Sequence, residues 1–354
     1  MLVVVSTYGL SLDLKLIKET QLSQTKSIIG GCYSFCVTED DYTLLIDYKI
    51  PNIKIFNPEG SLAREFGNKG AGPNEFMGLM SSDYQNGNFI VVDYQKNQLF
   101  LFKRTGKSEF KKLKETLCFD FGLCIKLHND FVFIPGYKVD PKGKSFDFFS
   151  LNLKTRGITY YLPTEMKYGL DSFREYNKKY WDSPELQAIG IGAFCDIYND
   201  DAYYVWEGNL KVFKINVNSK KIESFGKKTA NYIQPKATRV LINSDKTSNP
   251  KAYLNEKVKM SYVQSVFASK KFIFLIYNKP KKSFDDPKSD FLIQFYSNKG
   301  EFLKEIPINE KAIYVRFFFK KDTNDLYCLC IDSKVGKDVE FEDNYILKKY
   351  RISE

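Results

Sequence analysis

The sequence predicts an all-β chain: a six-bladed β-propeller of four-stranded antiparallel blades, closed into a ring by an N-terminal strand. Three observations predict it. Aromatic residues make up 16% of the 354 residues, with 30 Phe and 24 Tyr, and with Val and Ile they favour half-buried pleated surfaces. A strand, short turn, strand, Gly turn, strand pattern recurs every 46 residues: Asp47 matches Asp93, Phe56 matches Phe102 and Gly60 matches Gly106. A strand-like stretch near the N-terminus, "LSLDLKLI", has no neighbour to pair with. Self-similarity at such a period marks a repeat architecture.

The first two units, 42–67 and 88–111, are the sharpest copies. Weaker ones run over 130–162, 202–226, 271–306 and 325–352. Before each unit lies a further apolar segment: "CYSFCVT", "MGLMSSD", "GLCIKL", "AFCDIY", "VQSVFAS" and "IYVRFFF". These supply a fourth, innermost strand per blade. The last copy shows only three strands, so the orphan at Leu12 to Ile17 completes it, and radial closure leaves only short, protected edges. The whole chain, 1–354, is expected to be one propeller domain with a helical insertion at about 163–187 and a polar, irregular one at about 226–254. In the first, Ser172 with Glu175 makes a capping box, Phe173, Tyr176, Tyr180 and Trp181 follow at helical spacing, and Pro184 stops the helix.

The glycine-rich stretch "REFGNKGAGPNEF" (64–76) is a connector in this scheme, not a phosphate cradle. A phosphate loop needs Gly-x-x-x-x-Gly-Lys-Ser/Thr ahead of a helix. Here Gly67, Gly70 and Gly72 precede two strands, so glycine and Pro73 turn the chain while Phe76 anchors the crossing between blades. Together with "LLIDY" and "NIKIFNPEG" before it, this stretch resembles the signature of NHL-type repeats. It is similar in particular to the six-bladed propeller proteins abundant in Bacteroidetes, many of them exported as lipoproteins. The resemblance implies the fold and a periplasmic or cell-envelope location, and it supplies no catalytic motif.

Composition narrows the chemistry. The formal charge is +10, but the lysines come as scattered pairs near turns, such as Lys111-Lys112 and Lys281-Lys282, which describes a solvated surface better than a nucleic-acid track. Seven cysteines without a CxxC pair read as small buried hydrophobes. The start of the chain carries neither a signal-peptide pattern nor a membrane span. His128, the one histidine, excludes a multi-histidine zinc centre and is expected at a surface turn.

Asp47, Asp93 and Asp332 end equivalent strands, with Glu207 in a similar place, and repetition suggests carboxylates that accept backbone N–H bonds. The central pore is where oxygens could converge on calcium, and Asp83, Asp196, Asn199 and Glu39 are its candidates. Arg316 interrupts the apolar innermost strand "AIYVRFFF" and needs a partner or a wet channel. The resulting expectation is a non-catalytic, monomeric binding propeller. It would hold a small molecule, glycan or protein through Arg316, Asp196, Asp83, Tyr176 and Trp181 at the pore mouth and the helical insertion, with no firm cofactor. The alternative is a calcium-dependent hydrolase or lactonase built from pore carboxylates.

Overall fold

The computed structural model describes residues 12–23, 27–117, 124–164, 192–235, 241, 249–283, 289–310, 312–332 and 345–353. Six four-stranded antiparallel sheets form the ring. From inner to outer strand, blade 1 is Cys32–Val37, Thr43–Asp47, Asn52–Phe56 and Leu62–Phe66. Blade 2 is Leu79–Gln85, Asn88–Asp93, Gln98–Arg104 and Phe110–Leu117. Blade 3 is Lys126–His128, Phe131–Val139, Ser145–Asn152 and Ile158–Pro163. Blade 4 is Ala193–Tyr198, Asp201–Trp206, Val212–Asn216 and Ile222–Phe225. Blade 5 is Val263–Ala268, Ile273–Asn278, Ser289–Tyr296 and Phe302–Glu310. Blade 6 takes Ala312–Lys320, Asp325–Asp332 and Tyr345–Ser353 from the end of the chain and its outermost strand, Asp13–Gln21, from the beginning.

That last pairing closes the ring as the orphan strand foretells. Leu14 lies opposite Ile352 and Leu16 opposite Tyr350, with a bulge at Ile17. The inner strands touch in a closed circle, blade 6 against blade 1 included. Apolar clusters sit between blades rather than within one, because each sheet must bury both faces against its neighbours. Blades 2 and 3 share Val92, Leu99, Ile134 and Phe149, for example, and blades 5 and 6 share Phe274, Phe295, Phe319 and Cys328.

The two ends of the pore differ. At the exit face, where the inner strands end, tight hairpins return the chain. Asp41, Asn86, Asn129, Asn199 and Asn324 occupy the left-handed region there, with φ of 64, 50, 54, 53 and 54°, a conformation that Asn and Asp tolerate. Asn199 is therefore a turn former. Connections between blades, and those between second and third strands, all arrive at the opposite entry face. The longest of them, running from Thr164 to Gly192, from Gly226 to Tyr262, from Asn278 to Ser289 and from Asp332 to Tyr345, begin and end there.

Within the stretch expected to be irregular, Pro250–Lys257 forms an α-helix. Asn249 caps it by accepting the Ala252 N–H at 3.2 Å, and Pro250 is preset for the first turn. The helical stretch expected around Tyr176 and Trp181 falls in 165–191, outside the described residues.

The connector 64–76 behaves as predicted. Gly67 has φ +82°, and a Cβ there would stand 2.2 Å from the Phe76 ring. Phe76 is buried and meets Phe100 edge-on at 5.3 Å. The loop offers carbonyls rather than N–H groups to cations: Lys96 Nζ donates to Gly72 O at 2.8 Å and to Glu75 O at 2.9 Å, and Lys112 Nζ donates to Pro73 O. The Gly72 N–H is taken by the loop's own Glu75 carboxylate at 2.7 Å, so it is not held open for a phosphate.

A charged seam fastens blade 6 to blade 1 at the exit face. The Asp41 carboxylate accepts Lys320 Nζ, Lys349 Nζ and Tyr327 Oη, each at 2.8 Å. Burial alone would push Asp41 up, but these three donors pull it down to about 2 from an ordinary 3.8. A depressed carboxyl stabilises the fold fully above its unfolded value and loses that contribution as pH falls through its folded value. The seam should thus weaken between about pH 4 and pH 2. In acid melts Asp41→Asn should start less stable at pH 6 and show a flatter loss below pH 4; parallel curves for the two proteins would show that Asp41 does not fasten the ring.

Candidate functional site

The carboxylates that end the second strands are structural. Asp47 accepts the N–H of Gly30 at 2.7 Å and those of Lys49 and Ile50 at 3.1 Å. Asp93 repeats this with Met77, Gly78 and Lys96. Glu207, one methylene longer, takes the Gly192 N–H at 2.9 Å. Each ties the segment entering an inner strand to the strand beside it. Asp332 is in the ladder, but its side chain lies outside what is described.

Two tyrosines follow from the same design. Tyr48 and Tyr94 come directly after Asp47 and Asp93, and their rings lie over Gly31 and Gly78, where a Cβ would meet them at 2.3 and 2.6 Å. Tyr33 packs on Tyr48 at 4.4 Å between centroids. All three rings remain partly exposed, beside exposed Ile50 and Met77. The entry face of blades 1 and 2 therefore carries an aromatic rim.

Inside the pore, Asp83 and Asp196 converge on Lys126, at 3.2 and 4.0 Å from its Nζ. Asp83 also accepts the Leu127 N–H of blade 3 at 2.8 Å, and Asp196 the Ala268 N–H of blade 5 at 2.8 Å. Lys321 reaches across from blade 6 to Asp196 at 2.8 Å and to the Ile197 carbonyl. Burial would push Lys126 down, but Asp83 and Asp196 hold its ammonium well above the ordinary lysine value. Burial pushes the Asp83 carboxyl up against the pull of Lys126. An ammonium thus stands where the two carboxylates meet, the place a calcium ion would take. Glu39 does not join them on Lys126 and instead accepts the Tyr84 hydroxyl at 2.5 Å. Among the described residues no three His, Cys, Asp or Glu side chains are grouped as a metal site.

Lys126, lying 5.9 Å from the Phe318 ring centroid, forms with Phe318 a partition across the pore. On the exit side is a polar recess of about 130 Å³ among Glu39, Asp83, Asp196, Lys320 and Lys321. On the entry side is a chamber of about 240 Å³ to which all six blades contribute. Its apolar wall includes Phe35, Phe194, Phe267 and Phe317, and its hydroxyls come from Ser34, Ser82 and Ser265. Arg316 enters from blade 6, its Nε donating to the Tyr33 carbonyl at 2.9 Å. Glu207 faces the same space. Arg316 and the pair Asp83/Asp196 therefore lie on opposite sides of one partition. Tyr176 and Trp181 are outside the described residues, in a connection anchored at the entry face. His128 ends the inner strand of blade 3, half-buried, with its pKa lowered by burial and then by Lys321.

With the geometry in hand, the ring can be set against solved structures. A member of the DUF4221 family from Bacteroides vulgatus superposes with a TM-score of 0.65 at 12% identity, covering 97% of this chain and 98% of that one. The likeness is one of fold. A presumed exported protein from Bacteroides fragilis superposes with a TM-score of 0.60 at 16% identity, over 97% and 96% of the two chains. Both of these proteins come from Bacteroides. No family model matches the sequence, and no curated protein matches it. No helix among the described residues is long and apolar enough to cross a membrane.

Proposed function

We propose that this propeller is a non-catalytic binding protein that holds a small molecule in the entry-face chamber. The observation that carries the reading is the asymmetry of the pore. One end closes in tight turns and internally paired charges. The other opens into a partly apolar chamber under an aromatic rim, at the face where the long connections begin and end. Concave sites with an apolar wall and a few placed polar groups are the usual form of small-molecule sites.

The chamber also suggests the ligand's character. A cavity of about 150 Å³ holds benzene, so about 240 Å³ suits a compact body of one substituted ring. Asp83 and Asp196 are engaged by lysines and backbone, and the Arg316 guanidinium lines the chamber, its Nε donating to the Tyr33 carbonyl. Its fork suits a carboxylate or another planar anion. A small apolar or aromatic acid, with its acid group toward Arg316, fits these walls. Among the described residues no chamber hydroxyl or thiol is hydrogen-bonded to His128, so no Ser–His or Cys–His pair is formed there. The resemblance to exported Bacteroidetes propellers carries the accompanying proposal of an envelope location.

Thermal melts against a panel of small aromatic and aliphatic acids, with their amides as controls, provide the test. A ligand at about 100 times its dissociation constant stabilises by roughly 2.7 kcal/mol. The acids should raise the melting temperature, and Ser265→Phe, which fills the chamber, should abolish the rise while melting normally without ligand. Arg316→Ala should weaken binding about tenfold or more, the worth of one hydrogen bond to a charged group. A shift that survives Ser265→Phe, or a panel that leaves the melt unmoved, would count against the chamber.

A further inference from the structure

The interface between blades 3 and 4 holds a pair of thiols that the binding reading does not use. Cys124 enters the inner strand of blade 3 two residues before Lys126, and Cys195 sits in the middle of the inner strand of blade 4. The two residues meet across the interface. Cys124 Sγ stands 3.6 Å from the Cys195 carbonyl oxygen. Both residues line the entry-face chamber, and Cys124 is partly exposed while Cys195 is buried.

Their surroundings make them unequal partners. The neighbouring Cys195 side chain and, against the opposing effect of burial, the nearby Lys126 ammonium hold the Cys124 thiol below its ordinary value. Burial pushes Cys195 well up, and Cys124 adds to that. A partly exposed thiol beside a buried one, both lining the chamber, is the arrangement of an attacking and a resolving cysteine. The other described thiols lack it. Cys32 is pushed up to about 12 by burial, and Cys36 is pushed up by burial as well. Cys328 and Cys330 are buried neighbours along one strand, with no opening to a reagent.

We propose that Cys124 and Cys195 form a redox-sensitive dithiol, which closes to an inter-blade disulfide by exchange with a small disulfide entering through the chamber. The Cys124 thiolate attacks one sulfur of RS–SR; a Cys124–S–SR bond forms and RS⁻ leaves. Cys195, giving up its proton, then attacks the Cys124 sulfur and expels the second RS⁻. Two protein thiols are oxidised, one external disulfide is reduced, and the two protons end on the two RSH released. The bridge would staple blade 3 to blade 4 and redraw one wall of the chamber.

The test treats the full, reduced chain with excess 2-hydroxyethyl disulfide, then alkylates remaining thiols and maps peptides by mass spectrometry. The expected product is one intramolecular Cys124–Cys195 bridge, with Cys32, Cys36 and Cys328 still alkylatable. Cys195→Ser should stop at the mixed disulfide on Cys124, and Cys124→Ser should form no bridge and react about tenfold more slowly or less. The bridged wild type should melt higher, with the gain reversed by dithiothreitol. An unmodified Cys124, mixed disulfides spread over the buried thiols, or a Cys328–Cys330 bridge in place of the expected one would overturn the proposal. None of these outcomes depends on whether the chamber binds a ligand.

Discussion

Asp47→Ala should be among the most damaging single substitutions in this ring, costing about 3–5 kcal/mol. The reason lies in the third strand of blade 1, all of whose residues are buried. Lys54 sits at its centre with no exposure, its ammonium 2.8 Å from Asn52 Oδ1, 3.6 Å from Asp47 Oδ2 and 3.7 Å from Glu65 Oε2. Glu65 is half exposed, so Asp47 is the one fully buried countercharge. Removing it leaves a buried cation under-compensated and strips an acceptor from the Gly30, Lys49 and Ile50 N–H groups. Water can reach the last two, and Asn52 still holds the ammonium, which places the cost toward the lower end of that range. For a chain of this size that is a fall of roughly 4–7 °C in melting temperature. Lys54→Met in the same background removes the stranded charge while keeping the stem, so the double variant should melt above Asp47→Ala alone. A single variant that melts like the wild type would show that the pair and the turn it fastens carry no stability.

The architecture was legible because it repeats. A carboxylate at the end of a strand is ambiguous once, but Asp47 and Asp93 at one period point to one job, and both accept backbone N–H groups. The closing strand was readable for a similar reason, since an alternating stretch without a neighbour has to find an edge. The pore was read only in part. Asp83 and Asp196 do face it, yet the partner that defines them, Lys126, went unnoticed in "CIKLHND". The signal was there: a lysine between Ile125 and Leu127 interrupts an apolar inner strand as Arg316 does, and Lys54 in "NIKIF" obeys the same rule. What sequence could not supply was which face of the strand each side chain takes, because a shift of one residue reverses it. Lys321 lay further beyond reach, because its contact with Asp196 exists only once blade 6 faces blade 4 across the pore. The helix at Pro250–Lys257 announced its start with Asn249-Pro250, but its apolar residues Ala252, Tyr253 and Leu254 are consecutive and give no helical period.

Lys126→Met should expose how the partition is held. The methionine keeps much of the stem against Phe267 and Phe318, which lie 5.8 and 5.9 Å from the ammonium in the native ring, so packing changes little. The charge balance changes a great deal. Asp196 retains Lys321 and the Ala268 N–H, but Asp83 keeps only the Leu127 N–H of its present partners. Stranding a buried carboxylate in this way should cost about 3–5 kcal/mol at pH 7. Burial already pushes Asp83 up, and without Lys126 it should rise further. The sign follows from linkage: a carboxyl whose folded value lies above its unfolded one destabilises the fold above that folded value, and the loss is recovered as pH falls and the group takes up a proton. Lys126→Met should therefore regain stability relative to wild type as pH falls from neutral toward the unfolded aspartate value of about 4. Adding Asp83→Asn should restore part of the stability at pH 7 and remove that pH dependence. If the variant is destabilised equally at both pH values, and Asp83→Asn does not rescue it, the lysine holds the partition by packing and not by charge. The entry chamber would then be separated from the exit recess by shape alone.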